Sequence, residues 1–137
     1  MSLATVTKAR SVREEVGEEE WKKRVDLAAC YRLMAVHGLT EMIANHISCR
    51  VPGSTSEFLI NPYGMLYEEM TASCFIRIDV EGKVLYNPGE YELNQAGYVI
   101  HSAIHMARHD MDCIIRSEEH TSELQSRLHL VCRHLLE

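Results

Sequence analysis

Leu93-Asn94-Gln95-Ala96-Gly97-Tyr98-Val99-Ile100-His101-Ser102-Ala103-Ile104-His105-Met106-Ala107 is the stretch that decides the fold. Within it Leu93, Ala96, Gly97, Ile100, Ala103, Ile104 and Ala107 fall at i, i+3, i+4, i+7, i+10, i+11 and i+14. That is one face of a long helix, and it is expected to be the packing face. His101, His105 and His109 share a second stripe at i, i+4 and i+8. Two imidazoles four residues apart can chelate zinc, but a stable site takes three or four ligands. Ser102 also stands where a zinc-protease motif requires Glu. A polar face beside an apolar one is the favoured reading of this stripe.

Upstream lies a first helix. Glu18, Glu19 and Glu20 place acid in its first turn, where the helix dipole favours it. Trp21, Val25, Ala29, Leu33 and Val36 form its apolar stripe, and Gly38 supplies the stop signal. Residues 1–17 carry mixed charge with little periodicity and are expected to form a mobile arm. Between the helices the pattern turns strand-like. Ile47, Cys49 and Val51 alternate with Ser48 and Arg50 before a Pro52-Gly53 turn. Phe58-Leu59-Ile60 is a short buried run closed by Asn61-Pro62-Tyr63-Gly64, and Leu66 to Ser73 reads as an irregular or single-turn connection. Phe75 to Val80 and Lys83 to Tyr86 flank Glu81-Gly82, a hairpin signal, and Asn87-Pro88-Gly89 ends that hairpin. After the second helix, Cys113-Ile114-Ile115 starts another buried strand. Helix, several mostly antiparallel strands, helix and strand make an α/β sandwich.

The texture changes after Ile115. Arg116-Ser117-Glu118-Glu119-His120-Thr121-Ser122-Glu123-Leu124-Gln125-Ser126 resembles the translation of a sequencing-library adapter joined in frame. On that reading residues 116–137 are a non-native tail, set aside before fold reasoning, and 18–115 are the N-terminal part of a domain. The alternative is an amphipathic helix, because Leu124, Leu128, Val131 and Leu135 recur at spacings of four, three and four.

Bulk properties exclude several classes. The chain has 137 residues and a formal net charge of −6, which argues against nucleic acid as a partner. No apolar run approaches the length of a transmembrane span, and Met1 to Val6 lacks a signal-peptide core. Five cysteines without a C-x-x-C pair point to reduced thiols in a cytoplasmic protein. Nothing in the chain matches a glycine-rich phosphate loop, a nucleotide fingerprint or a GxSxG elbow. His37 is simplest as a favourable group at a helix C-terminus. His46, at the mouth of a strand, is a candidate site residue. The Asn61-Pro62-Tyr63-Gly64 turn could offer backbone N–H groups to an anion.

Taken in order, these segments resemble a known family. Gly38-Leu39-Thr40, Ala44 to Arg50, Phe58 to Glu69 and Asn94 to His105, continuing through Arg108, Asp110 and Cys113-Ile114-Ile115, are similar to the class II aldolase/adducin domain, nearest its adducin-like branch. The likeness spans roughly residues 20–115. It implies a three-layer α/β/α sandwich around a mainly antiparallel sheet, truncated here, and a homo-oligomeric parent. For the enzymes of the family it also implies zinc or another divalent metal that stabilises an enediolate as a Lewis acid. The departures matter more. The family's Ser-Ser-Glu triplet, phosphate-binding serines plus general acid/base, corresponds to Gln95, Ala96 and Gly97. His46 and Tyr63 replace the expected Asn and Thr at the phosphate, whereas Gly64 is kept. The first two metal ligands would fall at Arg116 and Glu118, and a third beyond residue 137.

The resemblance therefore implies no catalytic residue and no metal site in this chain. Its weak candidates for substrate contact are His46, Asn61, Gly64 and Gln95. The intact parent is expected to be a metal-dependent lyase acting on a small hydroxy-carbonyl compound, with the fragment inactive. The alternative is a non-catalytic, adducin-head-like module for self-association or protein binding.

Overall fold

A computed structural model describes residues 10–40 and 44–116. Its elements in order are α1 (Val12–Val16), α2 (Glu18–Val36), β1 (His46–Arg50), β2 (Glu57–Ile60), a 3-10 turn at Tyr67–Glu69, β3 (Ile76–Asp79), β4 (Val84–Tyr86), α3 (Gln95–Ala107) and β5 (Cys113–Arg116). The five strands form one sheet in the order β4-β3-β2-β1-β5. All four pairings are antiparallel. Ser48 opposes Ile60 on one side of β1 and Ile114 on the other. The hairpin read at Glu81-Gly82 joins β3 to β4. Gly82 has φ +91°, and a Cβ there would meet the Tyr98 ring at 2.6 Å, so glycine is needed twice over.

Period-two alternation sorts β1 between two layers. Ile47, Cys49 and Val51 join Leu59, Phe75 and Met70 in a core closed by Leu27, Ala28 and Tyr31 of α2. His46, Ser48 and Arg50 point the other way, towards α3. Phe58, Ile60, Ile76 and Ile78 form the apolar cluster on that side, against Leu93 and Tyr98. The three-layer sandwich follows, with β1 buried on both faces.

α2 turns a different face inward from the one expected, and α3 buries only part of its expected face. On α2 the buried residues are Glu20, Arg24, Leu27, Ala28 and Tyr31. The stripe of Trp21, Val25, Ala29, Leu33 and Val36 looks outward, with Leu33 58% and Val36 80% exposed. The reason is electrostatic pairing. Arg24, fully buried, donates to Glu20 at 2.8 Å and to the Phe75 carbonyl at 2.9 Å, while Glu20 also accepts from Arg77 at 2.7 Å. A buried charge is tolerated when its partners are supplied in this way. On α3 the buried residues are Gly97, His101, Ser102 and His105, while Ala96, Ile100, Ala103 and Ala107 of the apolar face are exposed.

Within the arm expected over residues 1–17, Val12–Val16 is helical, closed by a capping box between Ser11 and Glu14. Residues 1–9 lie outside the described residues, as does the expected tail after Arg116, Glu118 included. β5 runs one residue past Ile115, and Arg116 opposes His46. Among the described residues no helix is long and apolar enough to cross a membrane.

Candidate functional site

Two repeats match where α3 crosses β1. Four residues of helix rise roughly 6 Å, and two residues of strand advance roughly 6.7 Å. Gly97, His101 and His105 can therefore lie alongside His46, Ser48 and Arg50. Asn94 caps α3, its side chain accepting from the Gly97 amide at 2.9 Å, which fixes the start of this alignment.

The result is a continuous buried chain. His46 Nδ1 lies 2.7 Å from His101 Nε2, His101 Nδ1 lies 2.5 Å from Ser48 Oγ, and Ser48 Oγ lies 2.9 Å from His105 Nε2. Arg50 donates to the His105 carbonyl at 3.0 Å, and the Phe58 ring lies against His105 with centroids 4.8 Å apart. His46, His101 and His105 are 0–1% exposed. Burial, then the neighbouring His46 and His105, pushes His101 down to about 3; burial, then Arg50, pushes His105 down to about 4. Both rings are thus neutral near pH 7. A neutral imidazole has one donor and one acceptor, so the chain holds its protons in either of two opposite directions. Reversing it moves a proton from one end towards the other. His105 Nδ1 has no hydrogen-bond partner among the described residues.

Gly97 makes the crossing possible. A Cβ there would stand 3.2 Å from His46 Cγ and Cδ2 and 3.2 Å from Ile60 Cδ1. A side chain at position 97 would press on the His46 ring and Ile60, which would have to give by a few tenths of an ångström.

The remaining candidates gather at the same end of the sheet. Tyr63 donates its amide to the Glu92 carbonyl at 2.8 Å, and Pro62 bridges to Leu93, which seats the Asn61–Gly64 turn beside the start of α3. Asn61 is buried, and its side chain serves the fold. It accepts from the Tyr31 hydroxyl at 2.8 Å and donates to the Pro62 carbonyl at 3.1 Å. Gly64, at φ +76°, and Gln95 are exposed. Arg116 reaches this end through its pairing with His46, and its charge helps depress His101. A guanidinium repels a divalent cation, and among the described residues no three His, Cys, Asp or Glu groups are placed to hold one. His109 is exposed and stands apart from His101 and His105.

Ser48, Arg50 and the inward turn of His101 and His105 were not read as a site from sequence. The signal was there: polar residues at every second place in one strand, and histidines four apart on the helix that follows it.

A family model described as the class II aldolase and adducin N-terminal domain matches residues 25–122. The chain belongs to this family. A Pseudomonas aeruginosa protein provisionally named as a class 2 aldolase is 51% identical over 106 residues, 77% of this chain and 40% of its own length. An adducin-related protein of Schizosaccharomyces pombe is 44% identical over 114 residues, 79% of this chain and 35% of its own. The crystal structure of an aldolase II superfamily protein from Pseudomonas syringae superposes with a TM-score of 0.76 at 46% identity, covering 80% of this chain and 43% of that one. The chain thus spans less than half the length of these aldolase/adducin relatives. Their names fall on both branches of the family, so membership fixes the fold and leaves the activity open.

Proposed function

We propose that the protein represented by this chain uses the class II aldolase/adducin fold as a cytoplasmic, self-associating binding module rather than as a sugar-phosphate aldolase. One observation carries the reading: the place of the family's acid/base residue is Gly97, and the His46 ring closes over it. A carboxylate cannot be seated there without displacing that ring, and glycine has no proton to give. The exposed apolar residues of α2 and α3, among them Leu33, Val36, Val99 and Met106, favour a surface role, because exposed apolar area can mark an interaction site.

A second reading rests on the His46–His101–Ser48–His105 chain. A parent with the family's ligand pair restored would hold zinc or another divalent metal, and these imidazoles could move a proton that position 97 cannot. The reaction would be lyase chemistry on a small hydroxy-carbonyl compound. The chain itself is expected to be inactive under either reading.

The test uses the full-length protein. Light scattering after size exclusion is expected to give an oligomer, elemental analysis no stoichiometric metal, and ketose 1-phosphates no cleavage. Stoichiometric metal together with turnover overturns the proposal in favour of the second reading.

A further inference from the structure

Cys49 and Cys113 are direct partners in the β1–β5 ladder. The Arg50 amide donates to the Asp112 carbonyl at 2.7 Å, so Arg50 and Asp112 form a hydrogen-bonded pair. The next pair, Cys49 and Cys113, is therefore of the non-hydrogen-bonded kind. In such pairs the Cα atoms approach to about 4.5 Å and the side chains lie closest, within the Cα range of about 4.4–6.8 Å that a disulfide spans. Both side chains lie on the α2 face, with Cys49 6% exposed and Cys113 half-buried at the sheet edge. The described cysteines carry thiols rather than disulfides.

We propose that Cys49 and Cys113 are a redox site, a cross-strand dithiol that glutathione disulfide or a similar small disulfide oxidises to an intramolecular disulfide. Cys113, the more accessible, reacts first: its thiolate attacks one sulfur of the oxidant, forming a mixed disulfide and releasing one glutathione thiolate. The Cys49 thiolate then attacks the Cys113 sulfur, closing the S–S bond and releasing the second glutathione. Two thiols lose two protons and two electrons, and one glutathione disulfide becomes two glutathiones. Cys49 is suited to the second step. In the dithiol the Cys113 thiol, as hydrogen-bond partner, draws the Cys49 thiol below its ordinary range; once Cys113 is the mixed disulfide that donor is gone, and the Lys23 ammonium still favours the Cys49 thiolate against burial and the Asp112 and Asp26 carboxylates. Lys23 is held nearby, 3.9 Å from Asp112. The product fastens β5, outermost among the described strands, to β1 in the register it already has.

The experiment exposes the whole chain to excess glutathione disulfide, blocks remaining thiols with N-ethylmaleimide at low pH, and maps unreduced peptides by mass spectrometry. The expected result is a Cys49–Cys113 peptide pair in a chain lighter by two hydrogens, reversed by dithiothreitol. Cys49→Ser is expected to trap glutathione on Cys113, whereas Cys30→Ser closes the same link as the parent chain. Two alkylated thiols at 49 and 113, or a dominant link to Cys30, Cys74 or Cys132, overturns the proposal. The parent chain alone decides this, whatever the folding of the variants.

Discussion

The two faces of β1 do opposite kinds of work within five residues. Ile47 and Cys49 enter a dry cluster with Leu27, Tyr31 and Phe75, held by area and shape. His46 and Ser48, one step away along the strand, belong to a polar chain held by hydrogen bonds of 2.5–2.9 Å. The lesson is that apolar area was spent unevenly. The α2 side has an extensive core, whereas beneath α3 polar groups occupy places that Leu or Ile would normally take. Buried polar groups are costly unless every partner is in place. Such a face specifies one alignment of helix on strand more sharply than it stabilises it.

The contrast can be broken most forcefully from the apolar side. Ile47→Ala is expected to lower stability by about 4 kcal/mol in urea unfolding, with the same loss at pH 7 and pH 5, because only packing is removed. Gly97→Glu tests whether the polar face is closed. It drives a side chain into the His46 ring and Ile60 and buries a carboxylate, so about 3 kcal/mol should be lost. A stable Gly97→Glu chain would mean that the His46 ring yields readily. Ser48→Ala is expected to remove about 2 kcal/mol, since it strips a partner from both His101 and His105 at once. His109→Ala is the control: an exposed residue outside the chain should change stability by less than about 0.5 kcal/mol.

The polar face should also make stability depend on pH. His101 and His105 titrate at about 3 and about 4 in the folded chain against 6.5 when unperturbed. Between those values the unfolded chain binds more protons. Stability from these groups is therefore fully present above about pH 6.5, falls as pH drops below it, and is lost below the folded values. Ser48→Ala should shift this dependence, whereas Ile47→Ala should leave its shape intact.

Much of the fold was legible in the sequence. Alternation at Ile47, Cys49 and Val51, the Glu81-Gly82 hairpin and the long periodic segment around His101 each produced the expected element. The orientation of the helices was not legible, because periodicity reports that a helix has two faces and not which one meets the sheet. For α2, Glu20, Arg24 and Arg77 satisfy one another across elements far apart in sequence, so a charged face could be buried. For α3, the histidines found their partners on a strand some 50 residues earlier. The resemblance placed His46 and Gly97 among the positions to watch. Only the structure shows that a Cβ at position 97 would meet the His46 ring, and that Asn61 is committed to Tyr31.

The most direct test of the closed polar face is nitrogen-15 NMR of the imidazole rings in the whole chain, followed from about pH 7 to about pH 5. The expected result is that His101 and His105 stay neutral throughout, with nitrogen shifts of hydrogen-bonded rings. Titration of His101 and His105 near pH 6.5 would contradict the account, because it would place both rings in contact with water.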